Sequence, residues 1–197
     1  MIDVSRATGS VYKVAFRRRR SNLTNYAKRL ALVKGGSPRM VVRKSGRGVT
    51  VQFVQFFPSG DKVVSSVRSG SLSGQGWFPR CNAPTAYLCG LLAGKAAAKK
   101  GVQEFNLDAG MQTPSRGSVI FSALQGAIDS GLKTNYEGKM IDEARIGGAA
   151  IAQYASSLKS SDSAKYNRLF SAYLKAGFAP EKMSEAFKAA KAKIAGA

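Results

Sequence analysis

Hydrophobic and polar positions change period several times along this chain. Residues 1–22 have no apolar period: Val11, Val14 and Phe16 are scattered among Arg6, Lys13 and Arg17 to Arg20. Such a segment cannot bury enough apolar area to fold alone, so it is expected as an extended arm that orders against a partner. From Leu23 to Lys34 the pattern becomes helical, with Leu23, Tyr26, Ala27, Leu30 and Val33 near one face and Gly35–Gly36 as the stop. Residues 38–69 then alternate. Arg39 to Lys44, Val49 to Phe57 and Lys62 to Arg68 read as three strands with short polar turns, an antiparallel meander. Residues 69–76 contain only Ser, Gly, Leu and Gln, and read as a flexible loop.

Helical spacing returns at Asn82 to Lys100, with Asn82 as a cap, Pro84 in the first turn and Gly101 at the end. Its apolar side (Ala86, Gly90, Leu91, Gly94) is small enough to lie close against a sheet. Val102 to Leu107 reads as a fourth strand that extends the meander, Asp108–Gly117 as a loop, and Ser118 to Ser130 as an amphipathic helix. A further helix runs from Asp142 to Leu158, broken at Ser160–Ser163. Two short helices follow, split at Gly177–Pro180, with Leu169, Phe170, Tyr173 and Leu174 on the first and Met183, Phe187 and Ile194 on the second. The fold class is therefore α/β. A mixed sheet, made of the meander plus one strand, is packed with helices, between an extended basic arm (1–22) and a helical basic C-terminal appendage (159–197). The body is 23–158.

With 44% hydrophobic residues the 197-residue chain can build a core, so it is not a disordered polycation. Charge changes the picture more. Lys and Arg number 31 against 11 Asp and Glu, a net +20, and residues 1–50 alone hold 13 basic residues and 1 acidic. A charge this concentrated calls for a polyanion, with nucleic acid as the first partner and an anionic membrane surface as the rival. Two cysteines, Cys81 and Cys89, lack metal-ligand spacing and read as reduced thiols. No apolar run reaches the length of a membrane span, and the N-terminus carries no signal-peptide pattern. These readings point to a soluble cytoplasmic protein.

Candidate chemistry begins with an absence. The chain has no histidine, which removes the commonest general base and metal ligand. Asp108 and Asp129 read as a strand-end turn residue and a helix-surface charge rather than a catalytic pair. The loop Gly110–Gly117 lies between a strand and a helix without a Walker pattern. It is either an ordinary connection or a phosphate contact through Ser115, Arg116 and the helix N–H groups. Gly90 and Gly94 read as close packing on the sheet. Trp77 has two readings, core or stacking platform. No catalytic residue, metal site or cofactor is expected.

The arm is the strongest feature. Tyr12, Lys13, Phe16, Arg17, Arg18, Arg19 and Arg20 mix aromatic rings with guanidinium groups. Arginines bind phosphate in a bidentate manner, and rings stack on unpaired bases. Arg39, Arg43, Lys44 and Arg47, on and beyond the first strand, are expected to continue this RNA surface.

The order of motifs resembles one family. Tyr12-Lys-Val-Ala-Phe-Arg-Arg-Arg-Arg20, Thr24-Asn-Tyr-Ala-Lys-Arg-Leu30 and Ser37-Pro38 before Arg39-Met-Val-Val-Arg-Lys-Ser45 are similar to the archaeal and eukaryotic branch of the large-subunit ribosomal protein eighteen family. So are Pro84-Thr-Ala-Tyr-Leu-Cys-Gly-Leu-Leu-Ala-Gly-Lys95, Leu107-Asp-Ala-Gly110, Pro114-Ser-Arg-Gly-Ser118 and Gly126-Ala-Ile-Asp-Ser-Gly131. The resemblance covers about residues 11–155. It implies a structural ribosomal protein that binds 5S ribosomal RNA and helps anchor it to the large-subunit RNA in the central protuberance, beside neighbouring ribosomal proteins. It also implies RNA contacts at Tyr12, Lys13, Arg17 to Arg20, Thr24, Tyr26, Arg29, Arg43, Lys44, Ser45 and Arg116. Two other classes are weighed against it. An RNA-modifying enzyme needs a catalytic constellation that the sequence lacks. A membrane-surface protein using the helices at 164–194 needs a wide apolar face.

Overall fold

A computed structural model describes residues 9–113 and 115–196. Residues 1–8 of the expected arm, and Pro114 of the strand-to-helix loop, lie outside the described residues. The arm is not extended throughout: α1 (Arg17–Arg20) makes one helical turn. The Phe16 carbonyl accepts from the N–H groups of Arg19 and Arg20, and the Arg18 carbonyl from those of Leu23 and Thr24. No arginine of α1 is buried, so local hydrogen bonds rather than packing make the turn. In α2 (Tyr26–Lys34), Asn25 caps the start by accepting from the Lys28 N–H.

β1 (Arg39–Lys44), β2 (Val49–Gln55) and β3 (Lys62–Arg68) form the expected antiparallel meander. β4 (Asn106–Asp108) pairs with β1 in parallel, so the order is β3-β2-β1-β4 and the sheet is mixed. Met40, Val42, Val51 and Phe53 are wholly buried on one face. That face is covered by α3 (Ala83–Ala98) and α4 (Val119–Asp129). Alternate strand residues point to opposite faces, which leaves Arg39, Val41 and Arg43 on the other side of β1.

Several expectations change. The fourth strand is shorter and later than Val102 to Leu107. Gln103 and Phe105 exchange backbone hydrogen bonds with Lys133 instead, so only the end of the segment reaches β1. Residues 69–76 do not form a flexible loop; Ser69–Gln75 is a 3-10 helix. Leu72 is completely buried there, and the Ser69 hydroxyl accepts from the Val49 N–H at 3.2 Å. The helix expected over Asp142 to Leu158 divides into α5 (Glu143–Ile146) and α6 (Ala149–Ser161). Gly148, at φ +75, turns the chain between them where Met183 leaves no room for a Cβ. Gly90 and Gly94 pack on α4 rather than the sheet: a Cβ at Gly90 would collide with the Ala123 carbonyl. The break after α6 shrinks to Asp162, which caps α7 (Ser163–Leu169) by accepting from the Lys165 N–H at 2.8 Å.

α8 (Ser171–Lys175) and α9 (Met183–Gly196) complete the chain. Their apolar sides enter the same core as the sheet. Trp77 decides how. Its ring is buried, its N–H donates to Thr85 Oγ1 at 2.9 Å, and Phe178 and Phe187 pack edge-on against it. It is a core residue and offers no stacking face to a base. Phe187, Ala190 and Ile194 bury the apolar side of α9, which removes the wide apolar face that membrane adsorption requires. Among the described residues no helix is long and apolar enough to cross a membrane.

Candidate nucleic-acid interface

The face of the sheet away from α3 and α4 meets α2 across a groove of about 290 Å³. Strand alternation and the parallel register build it. In β1, Arg39 and Arg43 flank Val41, and Val41 stands opposite Asp108 of β4. The Asp108 carboxylate thus reaches both arginines: Oδ2 accepts from Arg39 Nη1 at 3.3 Å and Oδ1 from Arg43 Nη2 at 3.0 Å. Asp61, before β3, accepts from Arg39 at 2.6 Å and from Arg29 of α2 at 2.9 Å. A ladder Arg29–Asp61–Arg39–Asp108–Arg43 therefore crosses the groove. It ties α2, the β2–β3 turn, β1 and β4 together. Burial pushes the Asp61 carboxyl up, but its hydrogen bonds to Arg29 and Arg39, and their charges, outweigh this and hold it below the usual carboxylate range.

Arg43 lies across Gly110. A Cβ there would stand 3.0 Å from the Arg43 guanidinium carbon, and Gly110 has φ +65, so a glycine satisfies both the space and the backbone. Arg18 donates to Thr24 Oγ1 at 2.9 Å, which fixes the arginine turn against the start of α2. Phe16 packs on Tyr26 with ring centroids 5.1 Å apart. Tyr12 and Phe16 remain exposed.

The expected residues thus fall in different places. Tyr12, Lys13, Phe16 and Arg17 to Arg20 stand outside the core. Thr24, Arg29 and Arg43 gather at the groove with Arg18, while Tyr26 packs on Phe16 at the start of α2. Arg39 is only 3% exposed and is occupied by Asp61 and Asp108. It is a strut beneath the surface rather than a free contact. The Ser45 hydroxyl closes the β1–β2 turn, accepting from the Gly48 N–H and donating to the Gly48 carbonyl, both at 3.1 Å. Arg47 is exposed in the same turn. Lys44 points to the opposite face from Arg43. There it lines a second cavity with Ser115 and Arg116. The expected continuous surface is therefore two clusters that meet at the end of β1.

Asp61 and Lys28 of the groove were not legible as site residues. One clue existed for Asp61: it is the sole acid between Asp3 and Glu104. Asp108 and Asp129 do not form a pair. Asp108 is more than a turn residue, since it holds two arginines. Asp129 accepts from the Tyr87 hydroxyl, and burial together with this bond raises the Tyr87 phenol far above its ordinary value.

Enzymatic alternatives find little here. The groove does hold two carboxylates, Asp61 and Asp108, but both are bound to arginines. Burial raises the Cys81 thiol despite the charge of Lys44, and burial pushes Cys89 up to about 12. Neither thiol is a ready nucleophile at neutral pH. Among the described residues no cluster of three potential His, Cys, Asp or Glu metal ligands occurs.

Two comparisons bear on this arrangement. The family described as ribosomal large subunit proteins 60S L5 and 50S L18 matches residues 10–105. The large ribosomal subunit protein uL18 of Thermofilum pendens is 42% identical over 190 residues, which cover 95% of this chain and 97% of the relative.

Proposed function

We infer that this chain, which belongs to the uL18 family of large ribosomal subunit proteins, binds 5S ribosomal RNA and helps anchor it to the large-subunit RNA in the central protuberance. Membership itself makes it a structural component of the large ribosomal subunit in the cytoplasm, and not an enzyme. The 5S assignment rests on the resemblance of the early motifs and on one observation in particular. At the groove, five cations (Arg18, Lys28, Arg29, Arg39, Arg43) face two carboxylates, beside an arm of four more exposed basic side chains (Lys13, Arg17, Arg19, Arg20).

The work divides by exposure. Lys13, Arg17 to Arg20, Arg29, Arg43, Lys44, Arg47 and Arg116 neutralise phosphates, with Ser115 and Thr24 as polar neighbours. Tyr12, Phe16 and Tyr26 supply rings for unpaired bases. Arg39 and Ser45 hold the surface in shape. Neighbouring ribosomal proteins and the large-subunit RNA are the further partners. In this reading residues 1–22 are the arm, 23–158 the RNA-binding body and 159–197 the C-terminal helices.

Crosslinking in cells followed by sequencing of the bound RNA tests the assignment. The expected result is recovery of 5S RNA above all other species. A broad messenger-RNA profile would overturn it.

A further inference from the structure

The second cavity, of about 620 Å³, opens where α3 and α4 begin and where α6 passes over them. Its cations come from three separate places: Lys44 at the end of β1, Arg116 in the loop before α4, and Arg145 in α5. Among the described residues none of the three has a carboxylate within ion-pair distance. The acid beside them, Asp142, caps α5 by accepting from the Arg145 backbone N–H at 3.3 Å. Arg145 lies close over Gly117: a Cβ at that position would stand 3.1 Å from the Arg145 side chain.

Two further observations concern uncharged groups. Ser118, in the N-cap position of α4, does not use its hydroxyl to cap the helix. That Oγ is buried and has no hydrogen-bond partner. Buried polar atoms are nearly always satisfied, so an orphaned hydroxyl in a cationic cavity marks a place where an acceptor is missing. Across the opening, Tyr154 of α6 keeps its ring 48% exposed, although an exposed aromatic ring forgoes the burial that stabilises its neighbours in the core.

We propose that this cavity receives one unpaired nucleotide of the bound RNA, with its phosphate held by Lys44, Arg116 and Arg145 and its base stacked on Tyr154. The size suits one nucleotide rather than a duplex. Three cations without carboxylate partners attract a phosphate, and the ring offers the face that an unstacked base needs. This rests on the reading of the chain as a 5S RNA-binding protein. It adds a site on the side of the sheet opposite the groove, so that the RNA grips the end of β1 from both faces.

The test uses the full chain and transcribed 5S ribosomal RNA, with affinity measured across a salt series. Tyr154→Ala is expected to weaken binding about tenfold, in the range for loss of one stacked base, while Tyr154→Phe binds like the parent. Arg145→Gln is expected to lower the steepness of the log-affinity against log-salt line by about 1, and Arg145→Lys to restore it. Thermal melts check that each variant is folded. Parent-like affinity of Tyr154→Ala overturns the nucleotide site while leaving 5S binding intact. Equal weakening by Tyr154→Phe overturns the stacking. Failure of the parent protein to bind 5S RNA overturns the reading beneath both.

Discussion

Arg39 and Asp108 stand 69 residues apart in sequence and meet across the one parallel strand pair of the sheet, guanidinium to carboxylate at 3.3 Å. Arg39 also holds Asp61 at 2.6 Å. The two carboxylates that compensate this buried arginine are fixed by separate elements. The pair therefore links the groove to the folding of the sheet.

Asp61→Asn separates positioning from charge. Stranding a buried charge costs about 3–5 kcal/mol, but Asp108 remains as a second acceptor here, so about 2 kcal/mol of stability is expected to go. The substitution raises the net charge from +20 to +21. Charge counting alone would then strengthen RNA binding. The ladder predicts the reverse, since Arg29 loses the carboxylate that orients it. Urea denaturation and a binding isotherm at fixed salt check both parts, and tighter specific binding would contradict the ladder.

The same carboxylate has a signature in pH. Its pKa is lowered on folding from an ordinary value of 3.8. The stability it contributes is therefore fully present above that value and is lost as pH falls through the folded pKa below it. Glu181 behaves alike. Its own backbone hydrogen bond and its bonds to Lys159 and Tyr166 lower it from 4.5 against the effect of burial. Urea midpoints measured from pH 6 to pH 2.5 should fall below about pH 4.5 in the parent, and the gap to Asp61→Asn should narrow over the acid end. A constant gap across the range would refute the assignment.

Replacing Arg17 to Arg20 with glutamine should leave the melting curve of the body unchanged, because none of these residues is buried. Binding should respond strongly. With about eight phosphate contacts, the log-affinity slope against log salt is expected near −6 to −7, and four lost contacts should reduce its magnitude by about 3. An unchanged slope would remove the arm from the interface.

Gly126→Ala tests the contact between α3 and α4. A Cβ at Gly126 would overlap the Tyr87 carbonyl, which is backbone and cannot swing aside. Overpacking of this kind costs about 1–3 kcal/mol or more. Circular dichroism should show a lowered melting temperature, with the arm's salt dependence unaffected.

Much was legible in the sequence because it depends on neighbours a few residues apart. The period-2 runs marked β1 to β3, Asn82 and Gly101 marked the bounds of α3, and the concentration of 13 basic residues in the first 50 marked the polyanion partner. The ordered motifs carried the family. What the tertiary structure decided depends on residues distant along the chain. Arg39 has the composition of an RNA contact, and only the arrival of Asp61 and Asp108 makes it a strut. Trp77 became core because Phe178 and Phe187 return to cover it from about a hundred residues away. Arg43 and Lys44, adjacent in sequence, serve opposite faces because a strand alternates. Leu72 and Gly148 reshaped a predicted loop and a predicted helix through contacts no local pattern contains. Charge and period are properties of the chain; which charges stay free for a partner is settled by what the fold places beside them.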